Sequence, residues 1–133
     1  MTIIDKSIFI LGLGISGMSL ARKLNFRKIN CWDDNSKIRD LAKREKLDIK
    51  EPNLDNLKIT DFLVLSSGIN HELANPHNAI VIAKSLGIPI ISDIELIHLL
   101  ELKNYLIGIT GTNGKSSTTK FITDSLRHKN FLD

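Results

Sequence analysis

Short apolar runs alternate with amphipathic stretches along the whole chain. Ser7-Ile8-Phe9-Ile10-Leu11 ends at a glycine and has the pattern of a strand buried on both faces. Ile15, Met18, Ala21 and Leu24 then recur at helical spacing, which predicts an amphipathic helix reaching about Phe26. Ile29-Asn30-Cys31-Trp32 predicts a second strand, stopped by Asp33-Asp34-Asn35-Ser36. Ile38, Leu41, Ala42 and Leu47 predict another helix, N-capped by Ser36 or Asn35. Residues 48–60 carry a weaker pattern, read as a short strand and a polar loop.

Phe62-Leu63-Val64-Leu65-Ser66 predicts a strand that closes at Ser67-Gly68. Pro76 is expected to open a helix running to Leu86, with Gly87 ending it. Ile88-Pro89-Ile90-Ile91 reads as a strand with proline tolerated near its start. Asp93 is expected to cap a helix containing Ile94, Leu96, Ile97 and Leu100. Tyr105-Leu106-Ile107-Gly108-Ile109 predicts a further strand, followed by a glycine-rich turn and a helix over 115–128.

Strand and helix thus alternate throughout. That order predicts an α/β fold, a Rossmann-like, mainly parallel sheet with flanking helices. Residues 1–92 are expected to form one domain and 93–104 a helical connector. Residues 105–133 are expected to be the first βα unit of a truncated second domain. Ligands of such sheets sit at the carboxyl ends of the strands.

Composition adds little to this. The 133 residues are 42% hydrophobic and 25% charged, as in ordinary globular proteins. A formal net charge of +3 is too balanced to point to nucleic acid. Cys31 is the single cysteine, which excludes an internal disulfide and fits a reducing cytoplasm. No apolar run approaches the roughly 18 residues that span a bilayer, so no membrane role is expected. His71, His77, His98 and His128 show no metal-ligand spacing, and the oligomeric state is not legible.

Two glycine loops carry the candidate chemistry. Gly12-Leu13-Gly14-Ile15-Ser16-Gly17 is a complete G-x-G-x-x-G between a predicted strand and helix. One glycine permits a tight turn, one lets backbone approach a diphosphate, and one lets helix pack close to strand. The helix N-terminus then offers unpaired N–H groups to an anion. A glycine turn that binds nothing is the bland alternative. Asp33 and Asp34 end the second strand, where an acidic side chain often meets a ribose hydroxyl. Alone, this would suit an NAD(P)-type dinucleotide-binding oxidoreductase domain, while the plain role of the acidic pair is helix capping in a solvated turn.

Thr110-Gly111-Thr112-Asn113-Gly114-Lys115-Ser116-Ser117 also joins an apolar run to a helix. Backbone N–H groups can curl around phosphate oxygens, the lysine can neutralise β/γ charge, and the next hydroxyl can hold Mg²⁺. The loop departs from the strict P-loop pattern, because Ile109 occupies the place of its first glycine. A Gly-Lys-Ser-Ser cluster has no packing rationale on a core helix, which favours a nucleotide-phosphate role.

Thr110 followed by Gly111-Thr112-Asn113-Gly114-Lys115-Ser116 resembles the ATP loop of the Mur ligases and their folylpolyglutamate synthetase relatives. Some Mur ligases also open with G-x-G-x-S-G, the pattern of Gly12 to Gly17. Asn113, Ser66-Ser67-Gly68-Ile69 and Asp93-Ile94-Glu95-Leu96 resemble the branch that joins D-glutamate to UDP-N-acetylmuramoyl-L-alanine. Ser67 departs from the proline usual in that turn, and 27–61 matches poorly.

The resemblance implies a UDP-sugar site at Gly14, Ile15, Ser16, Asp33, Asp34, Ser66, Ser67 and Gly68. It implies an ATP site at Gly111, Thr112, Asn113, Gly114, Lys115, Ser116 and Ser117. Lys115 and Ser116 would be the catalytic contributors, with Ser116 on Mg²⁺. The implied reaction activates the substrate carboxylate as an acyl phosphate at the expense of ATP, then forms the amide with D-glutamate. It further implies that these residues are only the front of the enzyme and do not complete ligation alone. A non-catalytic UDP-sugar-binding module is the alternative from another functional class.

Overall fold

The computed structural model describes residues 3–69, 74–100 and 107–129. They fall into two compact units, Met1–Leu102 and Lys103–Asp133.

After a short 3₁₀ turn at Ile3–Asp5, the first unit runs β1 (Ser7–Leu11), α1 (Ile15–Lys23), β2 (Lys28–Trp32), α2 (Ser36–Arg44) and α3 (Leu54–Leu57). It continues through β3 (Phe62–Leu65), α4 (Asn78–Ser85), β4 (Ile90–Ser92) and α5 (Asp93–Leu99). The four strands form one parallel sheet in the order β2-β1-β3-β4. Cys31 also pairs with Ile49 through an isolated parallel bridge, which accounts for the weak strand pattern after residue 48.

Period-two alternation along β1 divides the core. Ile8 and Ile10 join Met18, Leu20, Val64 and Leu96 on one face, beneath α1 and α5. Phe9 and Leu11 join Leu57, Leu63, Ala79 and Ile80 on the other, beneath α3 and α4. A strand covered on both faces favours apolar side chains along its covered length, and Ile8–Leu11 is apolar and buried throughout. Each such side chain removed from water contributes roughly 1.5–3 kcal/mol.

The chain passes from β1 outward to β2, then returns across β1 to β3. The strand order therefore reverses between β1 and β3, and the loops leaving those strands flank the crevice where parallel sheets hold ligands.

Several element ends differ from the sequence expectation. Helix α1 stops at Lys23, short of Phe26, which instead packs into the core. Of the two candidate caps on α2, Asn35 does the capping, its side chain accepting from the Lys37 N–H. That helix is closed off at Lys46, with φ 64, by N–H bonds from Lys46 to the Lys43 carbonyl and from Leu47 to Ala42. Helix α4 starts at Asn78 rather than Pro76, because the His77 ring nitrogen Nδ1 accepts the Ala79 N–H at 3.0 Å. Gly87, at φ +68, ends it as expected. Strand β4 is displaced to Ile90–Ser92 because pairing with β3 places Leu63 opposite Ile90.

Ser92, not Asp93, caps α5. It forms a reciprocal capping box with Glu95, leaving Asp93 as the first helical residue. Helix α5 lies within the first unit, with Leu96 buried in its core.

In the second unit, α6 (Lys115–His128) has the predicted bounds. The strand expected before it is not formed over residues 107–109, which carry no ladder partner among the described residues; Tyr105 and Leu106 lie outside them. A strand exists only through hydrogen bonds to a neighbour. No residue of α6 is buried, and Phe121 is 74% exposed. Among the described residues no helix is long and apolar enough to cross a membrane.

Candidate phosphate-binding sites

The three glycines after β1 occupy three different situations. Gly12 has φ +89, and a Cβ there would lie 2.7 Å from Ile69 Cδ1 and 3.1 Å from Ser66 Cβ. Its N–H donates to the Trp32 carbonyl at 2.8 Å, fastening the loop to the end of β2. A Cβ on Gly17 would stand 2.0 Å from the Gly12 carbonyl oxygen, so helix and loop touch there. Gly14 is different. Its φ is an ordinary −64 and nothing lies within 4 Å of an added Cβ. The protein's own packing gives no reason for glycine at that position.

Gly14 is also the N-cap of α1 and provides no side-chain cap. The first intrahelical bond runs from the Met18 N–H to the Gly14 carbonyl, so the N–H groups of Ile15, Ser16 and Gly17 have no helical acceptor. Ile15 is 96% exposed beside them. Open space, unpaired donors and the positive end of a helix dipole coincide at this point, which is the chemistry of an anion site.

Ser66-Ser67-Gly68-Ile69 forms a turn after β3, with the Ile69 N–H donating to the Ser66 carbonyl at 3.2 Å and Gly68 at φ +96. The Ser16 and Ser66 hydroxyls meet at 3.0 Å, so this turn and the first glycine loop share a wall. Serine at 67 does not loosen the turn. Its N–H and hydroxyl both donate to Asp93 Oδ2, at 3.2 and 2.8 Å. A proline could not supply that N–H.

Asp93 is a site residue that the sequence does not announce, since its position before an apolar helix reads as a cap. It is 4% exposed at the carboxyl edge of the sheet. Burial by itself raises its pKa. Hydrogen bonds from the Ser16 and Ser67 hydroxyls and the Ser67 and Ile94 N–H groups outweigh it, holding the carboxyl below its ordinary range. Asp93 thereby ties β3, α1 and α5 together at the crevice.

The acidic pair after β2 divides its labour. Asp33 Oδ2 accepts the Leu13 N–H at 2.8 Å and Oδ1 the Asn35 N–H at 2.9 Å, so Asp33 braces the glycine loop. Asp34 stands at the mouth of a cleft shared with Gly14, Ser66 and His77. Its Oδ1 accepts the Trp32 indole N–H at 2.9 Å and faces His77 Nε2 at 3.1 Å. The indole lowers the Asp34 pKa most; burial opposes this, and His77 and Arg39 add to the lowering. Arg39 stacks 4.3 Å from the Trp32 ring centroid and donates to the Asp33 and Asp34 carbonyls. Trp32, Arg39 and His77 carried no readable motif, because only the fold brings residues 32–39 and 77 together. Cys31 takes no part: it is fully buried, and burial, with the Asp48 charge adding, pushes its thiol up to about 12.

In the second unit, Thr110–Gly114 is irregular and α6 begins at Lys115. Gly111 has φ +152, and Gly114, at φ +74, caps the helix without a side chain. The Thr118 N–H donates to the Gly114 carbonyl at 2.9 Å, leaving those of Lys115, Ser116 and Ser117 without helical acceptors. Lys115 Nζ folds back to donate to the Gly111 carbonyl, across the loop. This is a second cup of N–H donors, with an ammonium over it and the exposed Ser116 hydroxyl in the first helical turn. Among the described residues no group of three His, Cys, Asp or Glu could hold a metal ion.

No protein-family model matches the chain. Among curated proteins it is 36% identical to a UDP-N-acetylmuramoylalanine–D-glutamate ligase of Rhodospirillum rubrum over 129 residues, 92% of this chain and 27% of that protein. It is 34% identical to the protein of the same name from a Jannaschia species, over 95% of this chain and 30% of the other. The chain thus spans under a third of the length of these relatives. Among solved structures, shikimate dehydrogenase from Aquifex aeolicus superimposes with a TM-score of 0.52 at 14% identity, covering 77% of this chain and 47% of that one. That likeness bears on the fold alone.

Proposed function

From a chain that belongs to the sequence family of UDP-N-acetylmuramoylalanine–D-glutamate ligases, we propose that the first unit holds the substrate UDP-N-acetylmuramoyl-L-alanine and the second the phosphates of ATP. The reaction served is the ATP-dependent addition of D-glutamate to that UDP-sugar. The observation that carries the reading is Gly14: a glycine with ordinary φ and no neighbour, at an uncapped helix N-terminus. Its missing side chain makes room for a diphosphate, not for another part of the protein. Gly14, Ile15 and Ser16 meet the diphosphate, Asp34 faces the nucleoside, and Ser66, Ser67 and Gly68 border the pocket. Asp33 serves it indirectly, by fixing the loop.

A carboxylate is a poor acyl donor, so the substrate carboxylate first takes the γ-phosphoryl group of ATP and releases ADP. The amine of D-glutamate then displaces phosphate from the acyl phosphate, forming the amide and losing a proton. The part of this assigned to the present residues is electrostatic. The N–H groups of Lys115, Ser116 and Ser117, with Gly111, Thr112, Asn113 and Gly114 shaping the loop, cradle the ATP phosphates. Lys115 Nζ leaves the Gly111 carbonyl for phosphate oxygens and offsets charge there. Magnesium, held at Ser116, would neutralise further phosphate charge.

Calorimetric titration of the chain with UDP-N-acetylmuramoyl-L-alanine, ATP–Mg²⁺ and NAD tests the reading. Saturable binding of the first two, with ATP binding lost in Lys115→Ala, is expected. Binding of NAD in preference to the UDP-sugar would overturn it in favour of a dinucleotide-dependent domain. UDP-sugar binding without ATP binding would favour a non-catalytic binding module.

A further inference from the structure

His77 is bound at both ring nitrogens, and the two bonds do different things. Nδ1 accepts the Ala79 N–H at 3.0 Å as the cap of α4, so in the neutral ring the proton must sit on Nε2. Nε2–H then points at Asp34 Oδ1, 3.1 Å away and 43 residues distant in sequence. The capping bond thus sets the tautomer that donates to Asp34. Trp32 holds the same oxygen from the other side at 2.9 Å. Asp34 Oδ1 is committed to this clamp, while Oδ2 carries no hydrogen bond among the described residues, and Asp34 lines the same cleft as Gly14. Asp33, by contrast, has both carboxylate oxygens occupied by backbone N–H groups.

We propose that His77 is a positioning residue for the UDP-sugar site: through its fixed Nε2–H tautomer it holds Asp34 so that Oδ2 accepts a hydrogen bond from the nucleoside of the ligand. This rests on the UDP-sugar reading above and adds to it a residue and a specificity. A clamped carboxylate selects a ligand with a donor, a ribose hydroxyl or the base N–H, at that point and rejects one bearing an added phosphate there.

Two substitutions separate capping from positioning. His77→Asn places an amide oxygen where Nδ1 accepts the Ala79 N–H, keeping the cap, but is too short to reach Asp34. His77→Gln extends an amide N–H toward Asp34 and gives up the cap. With uridine diphosphate as probe, His77→Asn is expected to keep the wild-type urea midpoint and bind roughly tenfold more weakly, the size of one hydrogen bond to a charged group. His77→Gln is expected to lower the midpoint while binding within about twofold of wild type. In an Asp34→Asn background, His77→Asn should cause no further loss.

The 2′-deoxy, 3′-deoxy and N3-methyl analogues of uridine diphosphate identify the donor. The analogue that lacks it loses affinity for wild type but not for Asp34→Asn. Wild-type affinity in His77→Asn, or full affinity of wild type for all three analogues, would overturn the positioning role while leaving the UDP-sugar reading in place. A wild-type chain that binds no uridine diphosphate overturns both.

Discussion

Gly14 and Gly17 stand three residues apart in one motif, yet alanine at each should fail in opposite ways. In a helix interior, Gly→Ala is ordinarily favourable by up to about 1 kcal/mol, because it restricts the unfolded chain. At Gly17 the new Cβ would stand 2.0 Å from the Gly12 carbonyl oxygen, a backbone atom. Relief to an ordinary contact near 3.4 Å requires a shift of more than about 1 Å between α1 and the loop. That loop is held by the Gly12 N–H bond to Trp32 and the Leu13 N–H bond to Asp33. Overpacking against fixed backbone costs about 3 kcal/mol, so a net loss of about 2 kcal/mol or more is expected. In a unit of this size it lowers the melting temperature by roughly 10 °C.

At Gly14 the same methyl meets nothing. The cost is the poorer N-cap, about 1 kcal/mol at most, but the methyl occupies the space assigned to a diphosphate, and affinity should fall roughly tenfold to a hundredfold. Urea denaturation followed by circular dichroism, and titration with UDP-N-acetylmuramoyl-L-alanine, measure the two effects. Gly17→Ala with an unchanged midpoint would refute the close approach of helix and loop. Gly14→Ala with unchanged affinity would refute the diphosphate site.

Because Asp93 has a depressed pKa, its contribution to stability is complete above the unfolded value near 4 and is lost as pH falls through the folded pKa. Asp93→Asn should cost about 1–2 kcal/mol at pH 7 and flatten the fall in urea midpoint below about pH 4; an equally steep fall in the variant would contradict this. Lys46 adopts φ 64 at the end of α2, a conformation that glycine takes without strain, so Lys46→Gly should raise stability by roughly 0.5–1 kcal/mol in chemical denaturation. Since α6 buries no residue while β1 is buried throughout, amide exchange of the isolated chain should be faster in α6 than in β1 and β3; equal protection would show otherwise.

The class of fold and both glycine loops were legible because they depend on local rules. An apolar run buried on two faces, a glycine that must turn and a helix that must begin leave marks within a few residues. Ser7–Leu11, Gly12 to Gly17 and the start of α6 at Lys115 are such marks. What only the tertiary structure decided involves partners far apart in the chain. The pairing of Leu63 with Ile90 set where β4 lies and so made Ser92, not Asp93, the cap of α5. Sequence placed Asp33 and Asp34 side by side with one shared role; the loop N–H of Leu13 took the first, and His77 and Trp32 took the second. Ser67 stood out in the sequence only as a departure from the usual proline; Asp93, 26 residues on, provides an acceptor for the N–H that proline lacks. A side chain's type fixes what it can bond, but only the closed chain fixes what comes within reach.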